Sequence, residues 1–476
     1  MFRMSRCRFR LGLLCVYLIL GCGSSGDPVP VNSFRAVVFS DFHFNPFYDP
    51  SLFPALVAAD SSQWQTIFET SQITAPSPLG ADTNYPLLVL ALSSIKQNVG
   101  ASPVIIYTGD LIGHMFAKTF FGLNGNSNPQ DPAAIAALQA FADKTVAFVT
   151  AQVRSSVGKI PVVFALGNID SYIGYGPDTT FLSDNAETFY TQFLNATVNH
   201  QTFMNTFTSG GYYSARVATK LTVIGLNTTP MSPLIPANVS PSNNDSVVYT
   251  ELGWLDATLA SAEAAGQKVW LLMHIPPGAD VGTTLTTASS FDSGGQLVAP
   301  AMMWGPAYQT TFLQIISKYP GMITLILAAH THMNEYRILS PSNVLIQAPA
   351  ICPCLGNNPA YEIFTFTRGT FTPTDYRSLN YDLAASPAQF NSYYTFSSAY
   401  SLPGPMAASL AQLYPELATN VAKQALYRGQ FDSGNQSLKP GTTTTWNFIT
   451  DANWPVFRCG IGNALQQDFT NCVNSH

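Results

Sequence analysis

The sequence predicts an α/β fold, because six short apolar segments alternate along the chain with segments of helical periodicity. Each apolar segment is rich in Val, Ile and Leu, has the length of a strand and ends in polar or glycine-rich residues, as buried central strands do. These segments cover residues 35–40, 104–108, 161–166, 221–226, 269–273 and 323–328. A buried helix can give one such run, but six runs with polar exits favour a sheet.

Helical segments fill the intervals between several of these strands. Apolar residues recur at helix spacing over residues 86–98, 133–157, 252–265 and 307–318. From about Pro373 the composition changes to Tyr, Ser, Gln, Ala and Pro without strand alternation, and residues 403–428 have helical periodicity. We therefore predict a main α/β domain over residues 34–375 and a helical C-terminal subdomain over residues 376–476.

The first 22 residues have the pattern of an export signal. Four arginines precede an apolar run over residues 11–20, and Gly21 and Cys22 follow it. The run is shorter than the ~20 residues that a membrane-spanning helix needs. Residues 18–22 also resemble a bacterial lipoprotein signal in which Cys22 carries the lipid, and a Gly/Ser/Pro-rich linker covers residues 23–33. Secretion and anchoring through Cys22 both stay open, and each places the protein outside the cytoplasm.

Cysteine usage and charge agree with export. Three of the seven cysteines lie in the leader, and the four in the body are an even number, which suits disulfides in an oxidising compartment. Cys459 and Cys472 could close a short loop, whereas Cys352 and Cys354 are separated by one proline and either pair or stay free. The net charge of -6 and the 10% share of charged residues exclude a basic surface for nucleic acid.

Metal-binding residue types cluster directly after the predicted strands. Open α/β sheets place ligands beyond the carboxyl ends of their strands, so these exits are where chemistry is expected. Five of the seven histidines lie there, which is not the distribution of scattered core histidines. In an extended segment residues i and i+2 share a face, so the pairs Asp41/His43 and His330/His332 could each supply two ligands to one site. The exit residues are Asp41, His43, Asp110, His114, Asn168, Asp170, His274, His330 and His332.

The ordered set D-x-H, G-D-x-x-G-H, G-N, H and A-H-T-H resembles the calcineurin-like metallophosphoesterases, and more narrowly their acid sphingomyelinase-like phosphodiesterase branch. The resemblance covers roughly residues 34–476, and further segments that carry it are 211–214, 226–228, 254–255, 358–361, 375–376 and 393–400. It implies a β-sandwich flanked by helices, with residues 34–375 as the catalytic domain. It also implies one metal held by Asp41, His43, Asp110 and His332 and a second held by Asp110, Asn168, His274 and His330.

The resemblance implies hydrolysis of phosphate esters by hydroxide bridging two divalent cations. Imidazole, carboxylate and amide ligands suit Zn, Mn or Fe, and zinc is the metal that the resemblance favours. Two cations about 3.5–4 Å apart acidify a water for in-line attack on phosphorus. His114 resembles the histidine near the leaving group and is the candidate general acid, with orientation of the metal site as its alternative role.

Two departures from the family pattern bear on the substrate. Ile169 stands where many relatives place a histidine after the ligand asparagine, which removes a second proton donor or phosphate contact, and Ala329 replaces a glycine. No saposin-like module precedes the catalytic domain, which favours soluble phosphodiesters or nucleotides as substrates, although a phospholipid stays open. The alternatives are a nucleotide or polyphosphate phosphohydrolase and, in a different class, a non-catalytic metal-containing surface binding protein. Oligomeric state has no signal in the sequence.

Overall fold

Two six-stranded sheets form the centre of the molecule. The structure is a computed structural model that describes residues 30–125, 128, 130–194, 197–233, 244–435 and 448–476, so the predicted leader and the linker up to residue 29 lie outside the described residues. The strands are β1 Ser33–Phe39, β2 Ile105–Tyr107, β3 Val162–Phe164, β4 Tyr213–Ala218, β5 Leu221–Gly225, β6 Lys268–Leu272, β7 Ile323–Ala328, β8 Glu335–Ser340, β9 Asn343–Gln347, β10 Ala360–Thr367, β11 Pro373–Tyr381 and β12 Phe390–Thr395.

Parallel strands occupy the middle of both sheets and antiparallel strands flank them. The first sheet has the order β12-β11-β10-β1-β2-β3, and the second has the order β4-β5-β6-β7-β9-β8. β1, β2 and β3 pair in parallel, as do β5, β6, β7 and β9. All six predicted strands are present, and the parallel pairing brings their carboxyl ends to common edges.

The helices lie around the sheets and include the four that the sequence predicts. They are α1 Phe53–Ala58, α2 Trp64–Phe68, α3 Tyr85–Asn98, α4 Phe116–Leu123, α5 Pro132–Val157, α6 Thr179–Phe189, α7 His200–Gly210, α8 Asn244–Ala264, α9 Val281–Thr286, α10 Pro306–Ser317, α11 Phe396–Tyr400, α12 Met406–Thr419, α13 Val421–Phe431, α14 Trp454–Gly462 and α15 Gln466–Asn474. The N-cap of α5 is Asp131, whose side chain accepts from Ala133 N, and Pro132 follows at the first helical position.

The alternation of side chains along the strands divides the core into two apolar clusters. On β7, Leu325 and Leu327 join a large cluster that also contains Phe34 and Phe366 of the first sheet. The rings of Phe34 and Phe366 lie 6.3 and 4.5 Å from that of Trp270 on β6, so this cluster fills the space between the sheets and continues under the outer helices. Ile326 faces the other way and packs with residues of α8 and α10. The result is the predicted β-sandwich with helices on its outer face. α5 has the length and apolar composition of a membrane-spanning helix, but half of its apolar window is buried inside the protein.

The prediction that strands end before residue 376 is wrong. β11 and β12 extend the first sheet to Thr395, and helices follow only from Phe396. β12 is an edge strand with the pattern FNSYYT and an exposed face, so it lacks the apolar alternation that identifies a strand. The boundary between a catalytic domain and a C-terminal helical subdomain stays a prediction.

Both pairs of cysteines in the body are disulfide-bonded. Cys459 and Cys472 join α14 to α15, as the sequence allows, and Cys352 is bonded to Cys354 rather than free. The Cys352–Cys354 bridge lies in the loop between β9 and β10, and β9 is the strand that pairs with β7.

Candidate metal centre

All seven predicted ligands lie beyond the carboxyl ends of five parallel strands. Asp41 and His43 follow β1, Asp110 follows β2 and Asn168 follows β3. In the second sheet, His274 follows β6, and His330 and His332 follow β7. The two sheets therefore converge at one edge of the sandwich, and each contributes ligands to it.

The backbone at these positions is left-handed rather than extended. Five ligands have positive φ: Asp41 (49°), His43 (42°), Asp110 (60°), His330 (77°) and His332 (67°). This conformation is uncommon for residues other than glycine and persists where the surroundings fix it. Hydrogen bonds from Asp41 N to Gly109 O (2.9 Å) and from His43 N to Asp110 O (3.0 Å) do so here. The pairs i and i+2 do reach one site, but strained loop residues bring them there and not strand alternation.

Asp41, His43 and His332 form the first half of the centre. His332 Nε2 lies 3.3 Å from Asp41 Oδ1 and 3.1 Å from His43 Nε2. His43 Nε2 is also 3.6 Å from Asp41 Oδ1 and 3.5 Å from Asp110 Oδ2. Two imidazole nitrogens and two carboxylates therefore converge on one point.

His274, His330 and Asn168 form the second half, on the other side of Asp110. His274 Nε2 is 3.0 Å from Asp110 Oδ2, and the ligand atoms of Asp110, His274 and His330 all lie within 4.8 Å of one another. Asn168 is buried in the same cavity wall. Asp110 contacts both halves, which is the position of a bridging ligand.

Several buried polar atoms of the centre have no hydrogen-bond partner. They are Asp41 Oδ1 and Oδ2, Asn168 Oδ1, His43 Nδ1 and His274 Nε2. His274 Nε2 lies 3.0 Å from Asp110 Oδ2 but is not aligned with it as in a regular hydrogen bond. Orphaned buried acceptors are costly, and Asp, His and Asn oxygens and nitrogens are ligands of divalent cations. The donor set therefore fits metal ions.

The charges within the centre are coupled. Burial alone would raise the pKa of Asp110, but the positive charges of His274 and His43 outweigh it and lower that pKa. Burial would lower the pKa of His274, whereas Asp110 raises it to about 9. Burial lowers the pKa of His330 to about 3. In the absence of cations the pair Asp110–His274 therefore holds a proton, which metal binding would release.

Asp170 supports the loops that carry Asp110. Its carboxylate accepts hydrogen bonds from the backbone N–H groups of Asp110 (3.1 Å), Leu111 (2.7 Å) and Gly167 (2.8 Å). Asp170 therefore holds the metal-binding loops in place as a hydrogen-bond acceptor. Gly167 must be glycine, because a Cβ there would lie 1.9 Å from Asp110 Oδ1.

His114 lies beside the first half and is paired with an aspartate that the sequence analysis missed. Its ring stacks on that of His43 with centroids 3.9 Å apart. Its Nδ1 is 2.7 Å from Asp82 Oδ1, and its backbone N–H donates to Asp82 Oδ2 (2.7 Å). Asp82 precedes α3 and follows no strand, so the rule that located the other residues could not find it. Its sequence signal is weak: it is the single acidic residue between Glu69 and Asp110.

A cavity of about 260 Å³ opens onto the centre. Its walls include Asp110, His114, Asn168, His330 and His332, and also Ile169, Tyr175, Asp280, Met303, Arg337, Leu355 and Phe457. Asp280 and Arg337 were not predicted. Arg337 is buried and donates from Nη1 to Pro277 O (2.7 Å). The sequence signal for Arg337 is its position two residues after Glu335, on a short strand that follows the His330–His332 motif.

Comparison with known proteins gives a consistent result. The family model of the calcineurin-like phosphoesterases matches residues 34–334. Sphingomyelinase phosphodiesterase C of Dictyostelium discoideum is 23% identical over 62% of this chain, which spans 61% of that protein's length. Cyclic GMP-AMP phosphodiesterase SMPDL3A of Bos taurus is 23% identical over 92% of this chain and 90% of its own. A solved dimetal phosphatase of Danio rerio aligns with 75% of this chain and 98% of its own at 9% identity, with a TM-score of 0.40 that carries no further argument.

Proposed function

The chain belongs to the calcineurin-like phosphoesterase family and is a metal-dependent phosphoric ester hydrolase, and we propose that it is a two-metal phosphodiesterase of the sphingomyelin phosphodiesterase type. One cation would be held by Asp41, His43, Asp110 and His332. The second would be held by Asp110, Asn168, His274 and His330. The observation that carries this proposal is the position of Asp110, which contacts His43 of one half at 3.5 Å and His274 of the other at 3.0 Å.

The protein's own residues would bind and orient the ester and supply a proton to its leaving group. Two divalent cations, when bound, would neutralise phosphate oxygens and acidify the attacking water. Burial would raise the pKa of Asp82, but its hydrogen bond to His114 and the charge of that ring outweigh burial and lower it. Asp82 is therefore a carboxylate that accepts a hydrogen bond from Nδ1–H of His114. With both ring nitrogens protonated, His114 would donate its Nε2 proton to the departing alkoxide and remain neutral with its proton on Nδ1.

Ile169 takes part through its backbone. Its N–H donates to Asp110 Oδ1 (2.7 Å), while its side chain lines the cavity. The departure from the family pattern at this position therefore keeps the support of the bridging carboxylate and replaces a polar side chain by an apolar one in the cavity wall. We expect a changed substrate preference rather than lost hydrolysis.

The substrate that we propose is a phosphodiester with one apolar substituent. Relatives named as sphingomyelinase phosphodiesterase and as cyclic GMP-AMP phosphodiesterase support a diester. Met303, Leu355 and Phe457 give the cavity an apolar wall that could pack on the substituent.

Arg337 favours a second candidate, hydrolysis of nucleotides or polyphosphates. Its side chain lines the same cavity and could bind a further anionic group. Sphingomyelin in detergent micelles, cyclic GMP-AMP and ATP, each assayed for its products, separate the candidates. If ATP alone of the three is hydrolysed, the substrate is a phosphoanhydride and not a phosphodiester.

The test of the enzyme is hydrolysis of bis(p-nitrophenyl) phosphate by protein that lacks the leader, stripped of metal and then restored with Zn²⁺ or Mn²⁺. We expect activity to return with metal in wild type and in the surface control Asp468→Asn, and to be absent in Asp110→Ala. Full metal binding without turnover of any ester would support the non-catalytic binding protein instead. Metal analysis of protein purified without added ions tests our proposal that zinc is resident.

We also propose that the protein acts outside the cytoplasm. The export pattern of residues 1–22 and the two disulfides support this location. The mass of the mature N-terminal peptide distinguishes free secretion from a lipid on Cys22. An uncleaved N-terminus in cytoplasmic fractions would contradict export.

A further inference from the structure

The disulfide between Cys352 and Cys354 lies against the first half of the metal centre. Cys354 Sγ is 3.6 Å from His332 Nδ1. On the other side, Cys352 Sγ is 3.6 Å from Ala81 O and 3.8 Å from Asp82 Oδ1. The bridge therefore contacts a proposed metal ligand and the loop that orients His114.

The two nitrogens of His332 face different partners. Nε2 faces Asp41 and His43 inside the centre, so Nδ1 is the nitrogen that an outer partner can hold. Histidine ligands commonly donate this second N–H to a carboxylate, a carbonyl or water, which fixes the ring and its tautomer. His274 follows that rule, since its Nδ1 lies 2.8 Å from Thr108 O. His332 has a disulfide sulfur in the corresponding place.

A disulfide sulfur carries no proton and can only accept a hydrogen bond. Because Nδ1 faces Cys354 Sγ, neutral His332 should carry its proton on Nδ1. The lone pair of Nε2 is then left for a cation. A thiol at the same position could instead donate to Nδ1, and the ring would then carry its proton on Nε2. The group of His43, His332 and Cys354, whose ligand atoms all lie within 4.8 Å of one another, would also gain a competing thiol.

Backbone hydrogen bonds hold the bridge in this place. Cys352 N donates to Asp41 O (2.9 Å), Ile351 N donates to Ser40 O (3.0 Å), and Pro353 O accepts from Gly80 N (3.0 Å). The segment that carries the disulfide is therefore fixed both to the loop of Asp41 and to the loop of Asp82.

We propose that the Cys352–Cys354 disulfide is a positioning element that fixes the orientation and tautomer of His332, so that tight binding of the first cation requires the oxidised bridge. The inference rests on the proposed role of His332 as a metal ligand. It makes metal binding in the first half of the centre dependent on a bond that a reductant can open.

The test compares zinc binding by the metal-free wild type, by Cys352→Ala/Cys354→Ala and by the matched control Cys459→Ala/Cys472→Ala, titrated in competition with a chromophoric chelator. The control also lacks a disulfide, but that bridge joins α14 to α15, and neither helix carries a proposed metal ligand. Loss of an outer partner of a histidine ligand typically weakens binding 10- to 100-fold, and sulfur is a weak acceptor. We expect about tenfold weaker binding of one of two Zn²⁺ ions in the first variant and wild-type binding in the control.

A second measurement needs no change at residues 352 and 354. In the Cys459→Ala/Cys472→Ala background, a phosphine reductant opens a single disulfide, and ¹⁵N shifts of labelled histidine report the tautomer of His332 before and after. We expect a proton on Nδ1 in the oxidised protein and loss of that preference on reduction. Two zinc ions bound with equal affinity in all proteins, or an unchanged tautomer, would overturn the inference alone. A wild type that binds no zinc would instead contradict the proposed function.

Discussion

The two halves of the metal centre are held in place by different means. In the second half, His274 Nδ1 lies 2.8 Å from the carbonyl of Thr108, directly after β2, so the sheet itself orients the ring. In the first half, side chains support one another: His43 stacks on His114 and on His332 with centroids 3.9 and 4.9 Å apart, and His332 faces a disulfide.

This difference indicates which substitutions each half should tolerate. A backbone carbonyl cannot be removed by a side-chain substitution, so the second half should respond mainly to changes in its ligands. The first half should also respond to changes in residues that bind no metal, because its rings depend on neighbouring side chains. Asp110 belongs to both halves and should respond most strongly.

Asp110→Ala should have the largest effect, because it should impair metal binding in both halves of the centre. It deletes the shared carboxylate, so both cations should bind weakly and hydrolysis should fall by a factor of about 10⁴ or more, equivalent to several kcal/mol of lost transition-state stabilisation. Zinc titration and initial rates measure both effects. His274→Ala and His332→Ala should each lose one ion, and loss of both ions from either variant would mean that the halves do not bind independently.

His114→Ala should separate chemistry from metal binding. If His114 donates a proton to the leaving group, its removal should slow hydrolysis of an alkyl phosphodiester by about 10²–10⁴. Two zinc ions should still bind, with only the ion of the first half weakened by loss of the ring that stacks on His43. A p-nitrophenolate leaving group needs little protonation, so the rate with bis(p-nitrophenyl) phosphate should fall much less. Equal losses on both substrates would assign His114 to orientation of the stacked rings instead.

Asp82→Asn should have a smaller effect in the same direction. The amide can still accept from Nδ1 of His114, but its NH₂ group cannot accept the backbone N–H that Asp82 Oδ2 receives at 2.7 Å. We expect a loss of about 10- to 100-fold in kcat on alkyl esters, as for other residues that orient a functional histidine. Unchanged kcat with a raised KM would contradict a role in positioning the acid.

The sequence predicts the ligands better than their supports, for a physical reason. Asp41, Asp110 and His274 follow apolar strands, so periodicity and polar exits locate them without knowledge of tertiary contacts. Asp82 and Cys354 reach the centre through loops far away in sequence, and no local pattern indicates where such a loop folds. The left-handed backbone of the ligands was hidden for the same reason, since it follows from hydrogen bonds between loops.

The same limit applies to the fold. Central strands such as β2 and β7 are mostly apolar and were predicted, whereas β12 is partly exposed, contains Asn, Ser and Tyr, and was missed. Residues 390–395 form an edge strand because β11 lies beside them and supplies their hydrogen-bonding partners. The missed elements are therefore those defined by tertiary contacts and not by their own composition.

The smallest expected effect concerns Glu362 on β10, a buried carboxyl outside the centre. Burial raises its pKa well above the ordinary range, and no histidine offsets that effect as His274 does at Asp110. The folded protein therefore holds the proton of Glu362, and the stability that this gives is complete at low pH and is lost as pH rises through the raised pKa. Glu362→Gln stays neutral, so its unfolding free energy should match that of wild type near pH 5 and exceed it by about 1–3 kcal/mol at pH 9. Chemical denaturation at both pH values measures the difference, and metal content and hydrolysis should not change. If the unfolding free energies of the two proteins differed by the same amount at both pH values, Glu362 would be ionised in the folded protein. Burial without a neighbouring positive charge would then not be what distinguishes Glu362 from Asp110.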